Sequence, residues 1–165
     1  MLILAILSIF LIATDQLIKI FISNKLLLNE SKTIIKGFFD ITNVHNYGAA
    51  WSILNNQSIL LVVIGIIALV IIYFYFIRNK KLNKVDIILI SMLISGIIGN
   101  MVDRIRFGYV IDYLDFNIFG YDYPVFNLAD SLIVVAMILM LIKSLKEEHN
   151  AKIQSRNKWW KYALR

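Results

Sequence analysis

Two aspartates in this sequence, Asp112 and Asp130, have no basic neighbour in the local sequence to neutralise them. Two carboxylates brought together where water is scarce cannot both ionise. One keeps a proton and the other stays charged, so a single pair supplies a general acid and a general base. Such a dyad activates water against an amide carbonyl without any nucleophilic side chain. Other polar residues recur at helical spacing. Asp15 and Lys19 are four apart, hence on one face, with the acid N-terminal to the base. Gly96, Asn100, Asp103 and Arg104 form one stripe, and Asn127 and Asp130 stand three apart with Ala129 between them. Each has a plainer reading. Asp15–Lys19 serves as a structural ion pair, Asp103 pairs with its neighbour Arg104, Gly96 and Gly99 let helices approach closely, and Asp115 and Asp122 are solvated loop residues. Spacing alone leaves these alternatives open.

The elements that must position these residues are membrane spans. The sequence is 59% hydrophobic with a mean hydropathy of +0.73, against roughly 45–50% apolar residues in a soluble domain. Its length allows one domain and little more. Four apolar segments stand out: Met1 to about Ile22, Ser58–Ile77, about Val85–Val102, and Pro124–Ile142. About 20 apolar residues cross the hydrocarbon, and Ser58–Ile77 does so without a charge. Proline at the first position of the fourth segment suits a helix start. In lipid, ionisable and amide side chains inside spans face a bundle interior or a water-filled cavity, and here they fall near span ends.

The net charge of +6 is concentrated in Arg78–Lys84 and Lys143–Arg165, which flank apolar runs. That is a pattern of membrane orientation and not of a nucleic-acid surface. The positive-inside rule makes both segments cytoplasmic, so both termini lie inside and segments 23–57 and 103–123 lie outside. A retained first helix fits the N-terminus better than a cleaved signal peptide, because no positive n-region or small-x-small site is present. The first outer segment, Thr33–His45, has the β-branched and aromatic content of a hairpin or small sheet, with a glycine break. Residues 1–145 form a single membrane domain, and 146–165 a basic, aromatic tail with Trp159, Trp160 and Tyr162, read either as an interfacial segment or as a solvated one. The sequence has no cysteine, which excludes disulfides, thiolate catalysis and Cys-ligated metals. His45 and His149 fall on opposite sides of the membrane and no H-E-x-x-H occurs, so neither metal nor cofactor is expected.

At these residues the sequence resembles the lipoprotein signal peptidase family, also called signal peptidase II, a group of bacterial membrane aspartic peptidases. Asn46-Tyr47-Gly48-Ala49-Ala50-Trp51 resembles its N-x-G-A-A-aromatic motif, and Gly99-Asn100-Met101-Val102-Asp103-Arg104 its G-N-x-x-D-R motif. Val110–Tyr113 and Phe126–Ser131 resemble the two segments with the catalytic aspartates, and Asp15–Lys19 the first-helix D-x-x-x-K. The likeness covers roughly residues 15–131 and leaves the tail unexplained. It implies four transmembrane helices, a small extracytoplasmic β-sheet cradle and a short surface helix. It also implies removal of the signal peptide from prolipoproteins, with the cut just before the diacylglyceryl-modified cysteine. By the same carry-over Asp112 and Asp130 are catalytic. Asn46, Gly96, Asn100, Arg104, Asn127 and Ala129 line the substrate site, and Asp15 and Lys19 support it. Asn100 and Asn127 can orient the aspartates or bind substrate backbone without adding charge, and Arg104 offers a fork of donors. Trp51 suits an interfacial anchor. The expected setting is a monomer in the bacterial cytoplasmic membrane, with lipid and lipidated precursor as partners, no nucleic acid, and the site at the outer face.

Two other classes compete. A proton- or ion-coupled transporter also uses intramembrane carboxylates, but a relay spreads its acids along the membrane depth, and here all but Asp86 gather at one face. An assembly subunit uses polar residues only to hold helices together.

Overall fold

The structure, a computed structural model, describes residues 1–49, 53–78 and 81–163, the side chains of 155–163 excepted. Four helices are long and apolar enough to cross a membrane. The first, α1 (Leu2–Lys25), has 24 residues, about 36 Å at the usual helical rise. The next, α2 (Ser58–Ile72), continues through a π-helical turn at Tyr73–Ile77. Then α3 (Lys84–Phe107) starts in a reciprocal cap between Asn83 and Asp86 and ends at Gly108, whose backbone is left-handed at φ +81°. This end lies five residues beyond the expected one. The last helix, α4, runs Leu128–Ala163.

The expected start of the fourth helix at Pro124 is wrong. Phe126 is tied to β3 through its own backbone, with Phe126 N–H donating to Leu114 O (3.1 Å) and Leu114 N–H to Phe126 O (2.7 Å). Helical conformation therefore begins only after Asn127, whose Oδ1 accepts from Asp130 N–H (3.0 Å) while Asp130 Oδ2 accepts from Asn127 N–H (3.2 Å). This capping box satisfies two orphan donors at once. The helix also outruns its expected end at Ile142, because no glycine or proline follows Pro124 to stop it. The expected contacts of Trp159, Trp160 and Tyr162 lie outside the described side chains.

The bundle is centred on α3, which packs against the other three helices. On α1 the buried residues are Leu4, Ser8, Asp15, Lys19 and Ile22, one stripe at helical period, while Ile3, Ile6, Ile9, Phe10 and Leu17 are exposed. Such a helix hides its polar side chains and turns its apolar ones outward, as lipid requires. A small apolar core of Leu4, Ile72 and Ile90 fills one end of the bundle. At the other end sits a four-stranded antiparallel sheet in the order β1 (Ser31–Ile35), β2 (Phe39–Asn46), β3 (Val110–Ile118), β4 (Tyr121–Asp122). One half comes from the segment between α1 and α2 and the other from that between α3 and α4, so both connections lie on the same side of the bundle. Asp115, expected in a loop, is on β3 and accepts from Thr42 Oγ1 at 2.8 Å, and Asp122 is on β4. No short surface helix is found among the described residues. Residues 53–56 form a turn, and 50–52, with the anchor expected of Trp51, lie outside them.

Two glycines bring the helices close enough to build a site. A Cβ on Gly96 would stand 2.4 Å from the carbonyl oxygen of Ala129 on α4, and one on Gly99 would stand 2.7 Å from Asp15 Oδ2 on α1. A backbone carbonyl cannot swing aside as a side-chain tip does. Gly96→Ala is therefore expected to force α4 away from α3 and to cost about 2 kcal/mol, read as a fall in Tm in detergent. Ile105→Ala, at a position exposed on the same helix, should stay within about 0.5 kcal/mol.

Candidate active site

Asp112 and Asp130 reach the same site from different elements. Asp112 is near the start of β3, where strand pairing sets Val44 opposite Asp112 and Asn46 opposite Val110. Side chains of opposed residues share a face, so Asn46 projects on the side of Asp112. Its Nδ2 donates to Asp112 Oδ2 at 2.9 Å, and its own Oδ1 accepts from Gly48 N–H at 2.9 Å. Asp130 occupies the first turn of α4, fixed by its capping box with Asn127.

Neutral amides join the two carboxylates. Asn127 Nδ2 donates to Asp112 Oδ1 (2.6 Å) and to Asn100 Oδ1 (3.1 Å), and Asn100 Nδ2 donates to Asp130 Oδ1 (2.7 Å). Every oxygen of the pair thus accepts one N–H from an uncharged group. No ion pair reaches either carboxylate among the described residues. Asp112 is 1% exposed. Burial, and then the negative charge of Asp130, push its carboxyl from 3.8 up to about 7, against the opposing hydrogen bonds of Asn46 and Asn127. Tyr113 is pushed up to about 12, mainly by burial, so its hydroxyl stays neutral and accepts from Leu128 N–H at 3.2 Å.

Behind the pair lies a buried ionic cluster. Lys19 Nζ donates to Asp15 Oδ2, Asp103 Oδ2 and Asn100 Oδ1, each at 2.9 Å. An ammonium has three N–H bonds, and all three are used. Asp15 Oδ1 accepts from Ala129 N–H at 3.0 Å, and Gln16 Nε2 reaches Asp103 Oδ1 (2.9 Å), Gly99 O (3.2 Å) and Asp15 Oδ2 (3.3 Å). The expected salt bridge between Asp103 and Arg104 is replaced by this arrangement. Consecutive residues on a helix point about 100° apart, and α1 lies on Asp103's side. Arg104 turns instead to Gly48 O (2.8 Å) and Asn100 O (3.4 Å).

All ten residues singled out in the sequence fall in this region: Asp112, Asp130, Asn46, Asn100, Asn127, Arg104, Asp15 and Lys19 in one bonded network, and Gly96 and Ala129 at the α3–α4 contact. Gln16, Asp103 and Tyr113 join the network without being among the expected site residues. All three sit inside the quoted motifs, which is the signal that the sequence offers for them.

Residues 7–146 match the family model described as signal peptidase (SPase) II. The chain is 39% identical over 145 residues to the lipoprotein signal peptidases of Staphylococcus aureus strains JH9 and Newman, covering 88% of this chain and 89% of each relative. Among solved structures it is similar to a bacterial membrane enzyme determined by the in meso method at 2.3 Å resolution, with 37% identity, a TM-score of 0.83 and coverage of 89% of this chain and 90% of that one. A second such structure, at 1.9 Å, gives 37% identity, a TM-score of 0.78 and coverage of 87% and 92%.

The raised pKa of Asp112 has a consequence for stability. The folded chain holds a proton that an unfolded carboxyl releases near pH 4, so the stabilisation is full below that pH and is lost as pH rises through about 7. Thermal unfolding in detergent should show stability falling between pH 5 and pH 8, by on the order of 2 kcal/mol, and Asp112→Asn should flatten that slope.

Proposed function

The chain belongs to the signal peptidase II family, and from that premise we propose that it removes the signal peptide from diacylglyceryl-modified prolipoproteins, cutting before the lipidated cysteine by a water molecule that Asp112 and Asp130 activate. The observation that carries this reading is the amide chain from Asp112 through Asn127 and Asn100 to Asp130. It holds two like-charged groups in one site without adding a cation that would fix both as carboxylates. The ionised member takes a proton from water as the oxygen attacks the scissile carbonyl, and the protonated member gives its proton to the carbonyl oxygen. As the tetrahedral species collapses, the newly protonated member gives its proton to the leaving amine while a hydroxyl of that species returns one to the other member, so the pair again shares a single proton.

In this reading Asn46 and Asn127 hold Asp112, Asn100 holds Asp130, and Asp15 and Lys19 support them. Arg104 secures the Gly48 turn beside the substrate, and Gly96 and Ala129, where α3 and α4 meet closely, complete the lining of the substrate site. The protein acts as a monomer in the bacterial cytoplasmic membrane, with both termini in the cytoplasm and the sheet outside. The basic residues of 78–84 and 143–165 support this orientation. A dyad at the sheet end of the bundle then meets a scissile bond at the outer membrane surface without drawing acyl chains into water.

Asp112→Asn and Asp130→Asn are each expected to lower cleavage of a diacylglyceryl precursor in detergent by about 10³-fold, scored by release of the signal peptide. Undiminished turnover in either variant removes the dyad from the reaction. The absence of native cysteine makes orientation directly testable: Phe119→Cys should react with a membrane-impermeant maleimide in intact cells, and Lys81→Cys only after lysis.

A further inference from the structure

Each of the two aspartates is preceded by a residue whose backbone N–H is spoken for by a buried carboxylate. Ile111 N–H, next to Asp112, donates to Asp103 Oδ2 at 3.3 Å. Ala129 N–H, next to Asp130, donates to Asp15 Oδ1 at 3.0 Å. The two holding carboxylates come from different helices, α3 and α1, and both lie 2.9 Å from the same ammonium of Lys19. All three charged groups are 1% exposed. The third N–H of Lys19 fixes the amide of Asn100 with its oxygen toward the lysine, which turns Nδ2 toward Asp130. Gln16 bridges the two holding carboxylates with one neutral amide.

We infer that Asp103 is a positioning residue for Asp112, matched by Asp15 for Asp130, and that Lys19 couples the two so that the spacing of the dyad is set from α1. This deepens the proposed peptidase reading and rests on it. A cluster that only glued helices would need no bond to the strand carrying Asp112, yet Asp103 spends its Oδ2 on both Lys19 and that strand. The bond lies one peptide unit from the Asp112 Cα. Releasing it lets the carboxyl drift relative to Asp130, and a displacement on the order of 1 Å in a reacting pair costs up to about 100-fold in rate.

The test is steady-state cleavage of a diacylglyceryl precursor by the full-length protein in detergent, with Tm measured alongside. Asp103→Asn keeps an oxygen for Ile111 N–H but gives up the charge that holds Lys19. It should lower kcat about 10-fold with KM within about twofold, and Asp103→Ala about 100-fold. Asp15→Asn should resemble Asp103→Asn. Because both release the same ammonium, the double variant should lose clearly less than the product of the single losses. Wild-type kcat in folded Asp103→Asn, a loss confined to KM or Tm, or singles that multiply would overturn the inference. Should Asp103→Asn fail to fold, Gln16→Ala removes only neutral-donor bonds, those to Asp103, Asp15 and the Gly99 carbonyl. About threefold or greater loss of kcat at unchanged KM then supports the inference, and wild-type kcat overturns it. If Asp112→Asn itself cleaves, the dyad reading fails. A dead Asp112→Asn beside a wild-type Asp103→Asn sinks only the positioning role.

Discussion

An ammonium withdrawn from water and from lipid headgroups must find an acceptor for each of its three N–H bonds, and Lys19 meets that demand with one residue of α1, Asp15, and two of α3, Asp103 and Asn100. Little else at the sheet end of the bundle is free to choose its place. The requirement draws α1 and α3 together, and Gly99 supplies the room, since a side chain there would strike Asp15. It also reaches α4, because the second oxygen of Asp15 satisfies the Ala129 N–H that the start of a helix leaves open. A charged pair of this kind adds little net stability once desolvation is counted, but it penalises heavily any arrangement that separates its members. Its contribution is to the uniqueness of the structure.

In front of this cluster the design changes from ions to amides. Asn46, Asn100 and Asn127 contact the two aspartates without carrying charge. A lysine in any of these places would hold its carboxylate ionised at all relevant pH values, and a pair held that way has no proton to give. Asn127 does more than donate. As the cap of α4 it fixes the first turn that carries Asp130, while its amide reaches across to Asp112 on the sheet. Helix capping, usually a matter of local stability, here determines the relation between two functional groups on separate elements.

The membrane supplies the other constraint. Apolar side chains on α1 and α2 face outward, and the interior of the bundle at this end is polar. Such an interior tolerates few alternatives, because each buried donor left unpaired is costly where no water can reach it. The first N–H groups of α4 illustrate the point. They are taken in turn by the Tyr113 hydroxyl, Asp15, the Asn127 side chain and the Asn127 carbonyl.

Much of this was legible in the residues alone. Four apolar runs separated by polar segments dictate four spans, since lipid thickness and helical rise leave no other solution. The strand character of Thr33–His45 is visible in its β-branched and aromatic content, and the i,i+4 spacing of Asp15 and Lys19 puts them on one face whatever surrounds them. Motif likeness brought the separate polar residues into one list. The strand at Val110–Ile118 escaped, because its pairing with β2 spans a whole helix pair in sequence. So did the start of α4, where a proline at a plausible first position outweighed an asparagine whose capping role depends on β3 holding Phe126. Asp103 shows the division most clearly. Sequence put it beside Arg104, and adjacency suggested a pair. Only the packing of α1 against α3, with a buried lysine short of a second anion, decided that Asp103 faces Lys19 and reaches the backbone next to Asp112. Local spacing fixes which residues share a face of one element. Which partner each face meets depends on contacts between elements far apart in the chain, and that is a property of the folded molecule.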